Sequence, residues 1–121
     1  MTLLAIDHIQ LAMPPGREPE ARAFYSGILG LSEVAKPENL AKRGGAWFAA
    51  GDLKVHLGVE QNFVPARKAH PAFRVANLPA LVEHLKASGV DVTTDEPLPG
   101  YDRVYIADPF GNRIELLQPA E

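Results

Sequence analysis

The sequence predicts an α+β domain in which two repeated βαβββ modules curve a mixed sheet around a cavity, with the helices on its outer face. Three observations carry this. The order strand, helix, three strands is read twice along 121 residues. Gly30 and Gly89 stop the helix at the same point of each copy. A metal-ligating residue type recurs in the first strand of each copy, His8 and His70, and in the last, His56 and Glu115. One domain is expected over residues 1–121, with a first module at 1–60, a linker at 61–69 and a second module at 70–121.

The first strand is IDHIQLAM, residues 6–13. Side chains alternate across a strand, so Ile9, Leu11 and Met13 take one face, and Ile6, His8, Gln10 and Ala12 the other. In PPGREPEARAFYSGILGL, Ala21, Phe24, Tyr25, Ile28 and Leu29 recur at helical spacing before Gly30. LSEVAK (31–36) reads as a strand, PENLAKRGG (37–45) as a polar loop, AWFAA (46–50) as a strand, GD (51–52) as a tight turn and LKVHLGVE (53–60) as the closing strand. Trp47 and Phe48 fall on opposite faces, one for the core and one for a pocket wall.

The second copy opens with the strand HPAFRV (70–75). Asn77 caps a helix whose stripe is Leu78, Leu81, Val82 and Leu85. VDVTT (90–94), DRVYIAD (102–108) and NRIELLQ (112–118) supply three strands, separated by DEPLPGY (95–101) and the turn DPFGN (108–112). Superposition sets His8 on His70 with an offset of 62, and His56 on Glu115 with the 59 that also relates Gly30 to Gly89. The difference lies in the longer loop PPGREPE. Val55, Leu57 and Val59 oppose His56, and Ile114 and Leu116 oppose Glu115, so all four candidates are expected on the face away from the helices. Around a pseudo-twofold they are expected to converge.

Composition narrows the class of function. Twelve basic against fifteen acidic residues give a net charge of −3, and no basic run offers a track for nucleic acid. There is no cysteine, so disulfides, thiol nucleophiles and thiolate metal sites are excluded. No long apolar run suggests a signal peptide or membrane span, and the expected location is cytoplasmic, with no membrane partner.

IDHIQLAM, ARAFYSGILGL, HPAFRVANL and DPFGNRIELLQ resemble recurring segments of the vicinal oxygen chelate superfamily, which includes glyoxalase I, methylmalonyl-CoA epimerase, fosfomycin-resistance thiol transferases, bleomycin-resistance proteins and extradiol dioxygenases. The resemblance covers nearly the whole chain. It implies metal ligands from the first and last strands of each module, here His8, His56, His70 and Glu115, and a homodimer whose site is often assembled from two chains. Imidazole and carboxylate suit a divalent ion such as Zn, Fe, Ni, Co or Mn. With open positions, such an ion chelates two neighbouring oxygens of a small-molecule substrate.

His56 and Glu115 are the catalytic candidates; Gln10, Arg103 and Tyr105 are the substrate-binding ones, with Arg103 and Tyr105 suited to an anionic or oxygen-rich group. Glyoxalase I generally has a glutamate at the position of His56 and the epimerase a glutamine, whereas His8, His70 and Glu115 match the two-histidine, one-carboxylate set of the extradiol dioxygenases. The expectation is a metal-dependent lyase, isomerase or dioxygenase. The alternative is a metal-free small-molecule binding protein of the bleomycin-resistance type. Arg43 and His84 are expected to be solvated.

Overall fold

The computed structural model describes residues 2–121; Met1, the first residue of the expected first module, lies outside them. The chain divides into two compact units, one ending at Val64 and the other running from Pro65 to Glu121.

In the first unit β1 (Ile9–Met13), β2 (Ser32–Val34), β3 (Ala46–Ala50) and β4 (Leu53–Val59) form a sheet of order β1-β4-β3-β2. β1 runs parallel to β4, and the other pairs are antiparallel. Alternation sorts the side chains as expected: Met13, Phe48, Val55 and Leu57 are fully buried on one face. Phe24 and Tyr25 cover that face, Tyr25 stacking on Phe48 at 5.4 Å. Each such ring adds about 1.5–3 kcal/mol of apolar burial.

The helix carrying these aromatics differs from the expected regular one. It is α-helical only over α1 (Glu18–Arg22) and continues as a π-helical turn, Ala23–Ile28. The Leu29 N–H reaches five residues back, to the Phe24 carbonyl, at 2.9 Å. Phe24 and Tyr25 lie within this turn and are both buried. Gly30 ends it at a φ of 78°.

Two further elements depart from the sequence reading. The loop at 37–45 contains a short helix, α2 (Glu38–Ala41), entered through Pro37. β1 starts at Ile9, so His8 stands just before the strand rather than inside it. After α2, Gly45 has a φ of 82°, and a Cβ there would run into the Leu57 carbonyl oxygen, so only glycine brings this chain so close to β4.

In the second unit β5 (Ala72–Arg74), β6 (Tyr101–Ala107) and β7 (Arg113–Pro119) form a sheet of order β5-β7-β6, with α3 (Leu78–Ala87) following β5. β5 is parallel to β7 and β6 is antiparallel to it. The Asn77 side chain accepts from the Ala80 N–H at 3.1 Å, the expected cap. At the other end Val90 N–H returns to the Leu85 carbonyl and Gly89 N–H to that of Lys86, a Schellman pair with Gly89 at a φ of 81°. Leu78, Leu85, Ile106, Ile114 and Leu116 are buried.

VDVTT does not form the expected strand: only Thr93 pairs, as an isolated bridge to Tyr105. The bond from Val90 holds the segment's start in the helix end, and Pro97 and Pro99, which have no N–H to donate, follow it. The described residues form two sheets, of four and three strands.

The repeat itself is present in the register. Gln10 pairs with His56 and Ala72 with Glu115, while Trp47 pairs with His56 and Tyr105 with Glu115. The offsets of 62 and 59 read from the sequence are those that bring Gln10 onto Ala72 and His56 onto Glu115.

Candidate functional site

Each unit carries a cluster on the face its helices leave uncovered. In the first, β1, β4 and β3 lie side by side and set three rings in a row. The His56 ring lies on Trp47 at 3.9 Å, the planes 3° apart, and His8 stacks on His56 at 4.2 Å and 21°. Phe48 takes the core, so Trp47 lies on the uncovered face, a choice that alternation alone left undecided.

The Asp7 carboxylate is an acceptor, and at 2.9 Å it takes a hydrogen bond from His8 Nδ1. The bond to His8 and the charge of Lys54 hold the Asp7 carboxyl below its ordinary value. Burial, and then the neighbouring His8, lower the His56 pKa, which favours a neutral imidazole with a lone pair available. Gln10 shares this face but is exposed, its amide lying over Gly58.

The second cluster is built around Glu115, whose side chain is only 6% exposed. Its Oε1 accepts from the Tyr105 hydroxyl at 3.0 Å and faces His70 Nε2 at 3.0 Å, with an Arg103 nitrogen 3.6 Å away. Arg103 also donates to the Tyr105 hydroxyl at 2.9 Å. Burial, the largest single influence on Glu115, pushes its pKa up; the bonds from His70 and Tyr105 and the charge of Arg103 together outweigh it and leave the carboxyl below its ordinary value. Tyr105 moves the other way, raised by burial and by its bond to Glu115, and so keeps its proton.

His70 supplies a test of whether these residues suit a cation. Its Nδ1 lies 2.8 Å from the Lys68 carbonyl, which can only accept, so Nδ1 carries the hydrogen. In a neutral ring Nε2 is then a bare lone pair aimed at a carboxylate oxygen. Two acceptors meet at 3.0 Å, and a proton or a metal ion must lie between them. A histidine nitrogen and a carboxylate oxygen are the donor types that would hold a divalent ion. The backbone carbonyl behind His70 is the usual support of a ligating imidazole. The donor set fits.

The structure thus brings His8 together with His56, and His70 together with Glu115, Tyr105 and Arg103. Among the described residues it gathers no group of three or more His, Cys, Asp or Glu side chains able to hold an ion. His84 is exposed on α3, as expected, and Arg43 is exposed in its loop. The sequence reading missed Asp7 and the Lys68 carbonyl, both local partners of a histidine. It also did not name Arg74 as a site residue, although strand alternation already sets it on the face of Glu115.

Paired βαβββ-type units with histidine and carboxylate at equivalent strand positions define a class of small α+β proteins that present polar clusters on open sheets. The family model for the Glyoxalase/Bleomycin resistance protein/Dioxygenase superfamily matches residues 5–116, and the chain belongs to that superfamily. Among solved structures it is similar to a glyoxalase family protein from Bacillus anthracis, at 48% identity and a TM-score of 0.96 over 99% of this chain and 98% of that one. It shares its fold with FosX, a genomically encoded fosfomycin resistance protein from Listeria monocytogenes (19% identity, TM-score 0.76, 98% and 96% of the two chains). It shares it equally with TnmS3, an antibiotic binding protein from Streptomyces sp. CB03234 (22%, 0.76, 99% of both chains). No curated protein matches.

Proposed function

We propose that this protein is a divalent-metal-dependent enzyme acting on a small oxygen-bearing organic molecule, with His8, His56, His70 and Glu115 as the metal ligands. The observation that carries the reading is the meeting of His70 Nε2 with Glu115 Oε1, backed by the Lys68 carbonyl. A bound ion would polarise two neighbouring oxygens of the substrate and stabilise the negative charge that develops on them. The Tyr105 bond and the Arg103 charge favour the ionised form of Glu115. The lowered pKa of His56 suits it to ligation or to accepting a proton, and the Trp47 and His8 rings fix its plane. Tyr105 and Arg103 stand beside the carboxylate as donors to a substrate oxygen, with Gln10 on the other cluster's face. The working form is a cytoplasmic homodimer, supported by the exposed apolar residues near the N-terminus, Leu3, Leu4 and Ile6. No helix among the described residues is long and apolar enough to cross a membrane.

Elemental mass spectrometry of protein purified without a tag or chelator tests this, beside a His70→Ala/Glu115→Gln double variant. About one equivalent of metal in the parent and none in the variant is expected. Iron would direct assays to dioxygenation, and nickel, zinc or cobalt to isomerase or lyase chemistry. A second reading, metal-free capture of a small molecule, is favoured by one observation. His70 Nε2 and an Arg103 nitrogen already stand 3.0 and 3.6 Å from Glu115 Oε1, so the carboxylate has partners with no ion at all. That reading prevails if the parent stays metal-free after incubation with each of the five ions.

A further inference from the structure

The register of the second sheet sets two arginines at one level. Arg74 on β5 and Arg103 on β6 both pair with Leu117 of the central strand β7. All three side chains share the face of Glu115, since Ala72 and Tyr105 pair with Glu115 one rung away. Two strand spacings separate the arginines, roughly 9.6 Å between Cα atoms, so their long side chains can close on one group above Leu117. The rung of Glu115 lies two residues along the strand, about 6.7 Å away.

The charges on this face do not balance. Glu115 faces Arg103, and Asp95 takes Arg113 at 3.3 Å, with the Arg113 guanidinium 4.1 Å over the Tyr105 ring. Arg74 is exposed, and among the described residues it has no acidic partner; it reaches only the Tyr101 hydroxyl at 3.4 Å and lies 5.8 Å over that ring. Arg103 donates to Tyr105 and to the Glu96 carbonyl, yet its Nε–H is buried with no acceptor among the described residues. Unmatched guanidinium donors over a small apolar floor, with Tyr101 as a third donor, are the chemistry that recognises an oxyanion.

We infer that Arg74 and Arg103, with the Tyr101 hydroxyl, form a subsite over Leu117 for an oxyanion, a carboxylate or phosphonate carried by the substrate. The inference rests on the proposed reading of this sheet face as the substrate side, but not on the metal. It narrows the substrate to anionic molecules. Their charged group lies about one rung, a few bonds, from the atoms that meet Glu115. Arg113, already paired, takes no part.

The test is calorimetric titration of chelator-treated, metal-free full-length protein at low salt, with methylphosphonate, with glycolate, and with neutral ethylene glycol. One or both oxyanions bind and ethylene glycol does not; the tighter of the two names the group. Arg74→Gln and Arg103→Lys each weaken binding at least tenfold, whereas Arg113→Gln changes it less than twofold. Arg74 is exposed, so Arg74→Gln keeps the parent's melting temperature and serves if Arg103→Lys is misfolded. Equal oxyanion affinity in parent and Arg74→Gln, or no oxyanion binding in a parent that takes up stoichiometric metal, overturns the subsite and leaves the metal reading standing. Oxyanion binding lost in Arg74→Gln upholds the subsite even in a protein that takes up no metal.

Discussion

His56 shows how a single residue acquires its chemistry from its neighbours. Burial and the adjacent His8 lower its pKa, with smaller contributions in the same direction from Lys54 and Lys36, and Asp7 opposes them. A lowered pKa means that the unfolded chain takes up the proton first as pH falls. The stability contributed by this group is therefore fully present above the ordinary histidine value of about 6.5 and is lost as pH drops from there through the folded value. NMR titration of the metal-free protein should show His56 titrating below about 6.5. A midpoint at or above that value would sink the assignment of a neutral, buried ring. Strand alternation was enough to set His56 and Glu115 opposite the apolar faces. It was not enough to choose between Trp47 and Phe48, because which face a helix covers is decided by residues 20 or more positions away. The Lys68 carbonyl was invisible for a different reason: backbone acceptors carry no residue signature.

Elements were most legible where the local pattern has one solution. AWFAA at 46–50 and the capped helix α3 lie where the sequence sets them, since alternation, cap and closing glycine agree. Legibility failed where tertiary packing overrides a local preference. The helix that buries Phe24 and Tyr25 widens into a π-helical turn, and VDVTT, with strong strand propensity, was left a single bridge between a helix end and two prolines. The DPFGN turn is the element whose sequence signal was clearest. Buried Asp108 accepts from the Phe110 and Asn112 N–H groups at 2.9 Å each and from the Asn112 amide at 2.8 Å, tying β6 to β7. Asp108→Ala leaves those buried donors unmatched and should cost about 2–4 kcal/mol, a Tm drop of roughly 10 °C by calorimetry. Asp108→Asn keeps one acceptor oxygen and should cost less. A loss under about 0.5 kcal/mol for Asp108→Ala would mean that water replaces the carboxylate.

For the whole molecule, the internal repeat was the most informative feature of the sequence, and it survives as register: equivalent residues pair across both sheets even though one sheet lacks a strand. What repetition cannot reveal is how many chains make the working protein. The exposed surface bears on that. Leu3, Leu4 and Ile6 are 83, 92 and 82% exposed in a segment that joins no strand. Three large apolar side chains on one short stretch are unusual for a monomer's surface and typical of one that a partner covers. Sedimentation equilibrium at micromolar concentration should give twice the chain mass, and Leu3→Ser/Leu4→Ser/Ile6→Ser should give the chain mass alone. Within one chain these residues bury almost nothing, so each substitution should change the monomer's own stability by no more than about 0.5 kcal/mol. The variant should therefore keep the parent's far-UV circular dichroism while losing the concentration dependence of its melting temperature, which only a dimer shows. A parent that sediments as a monomer, or a variant that dimerises as tightly as the parent, would remove this segment from the interface.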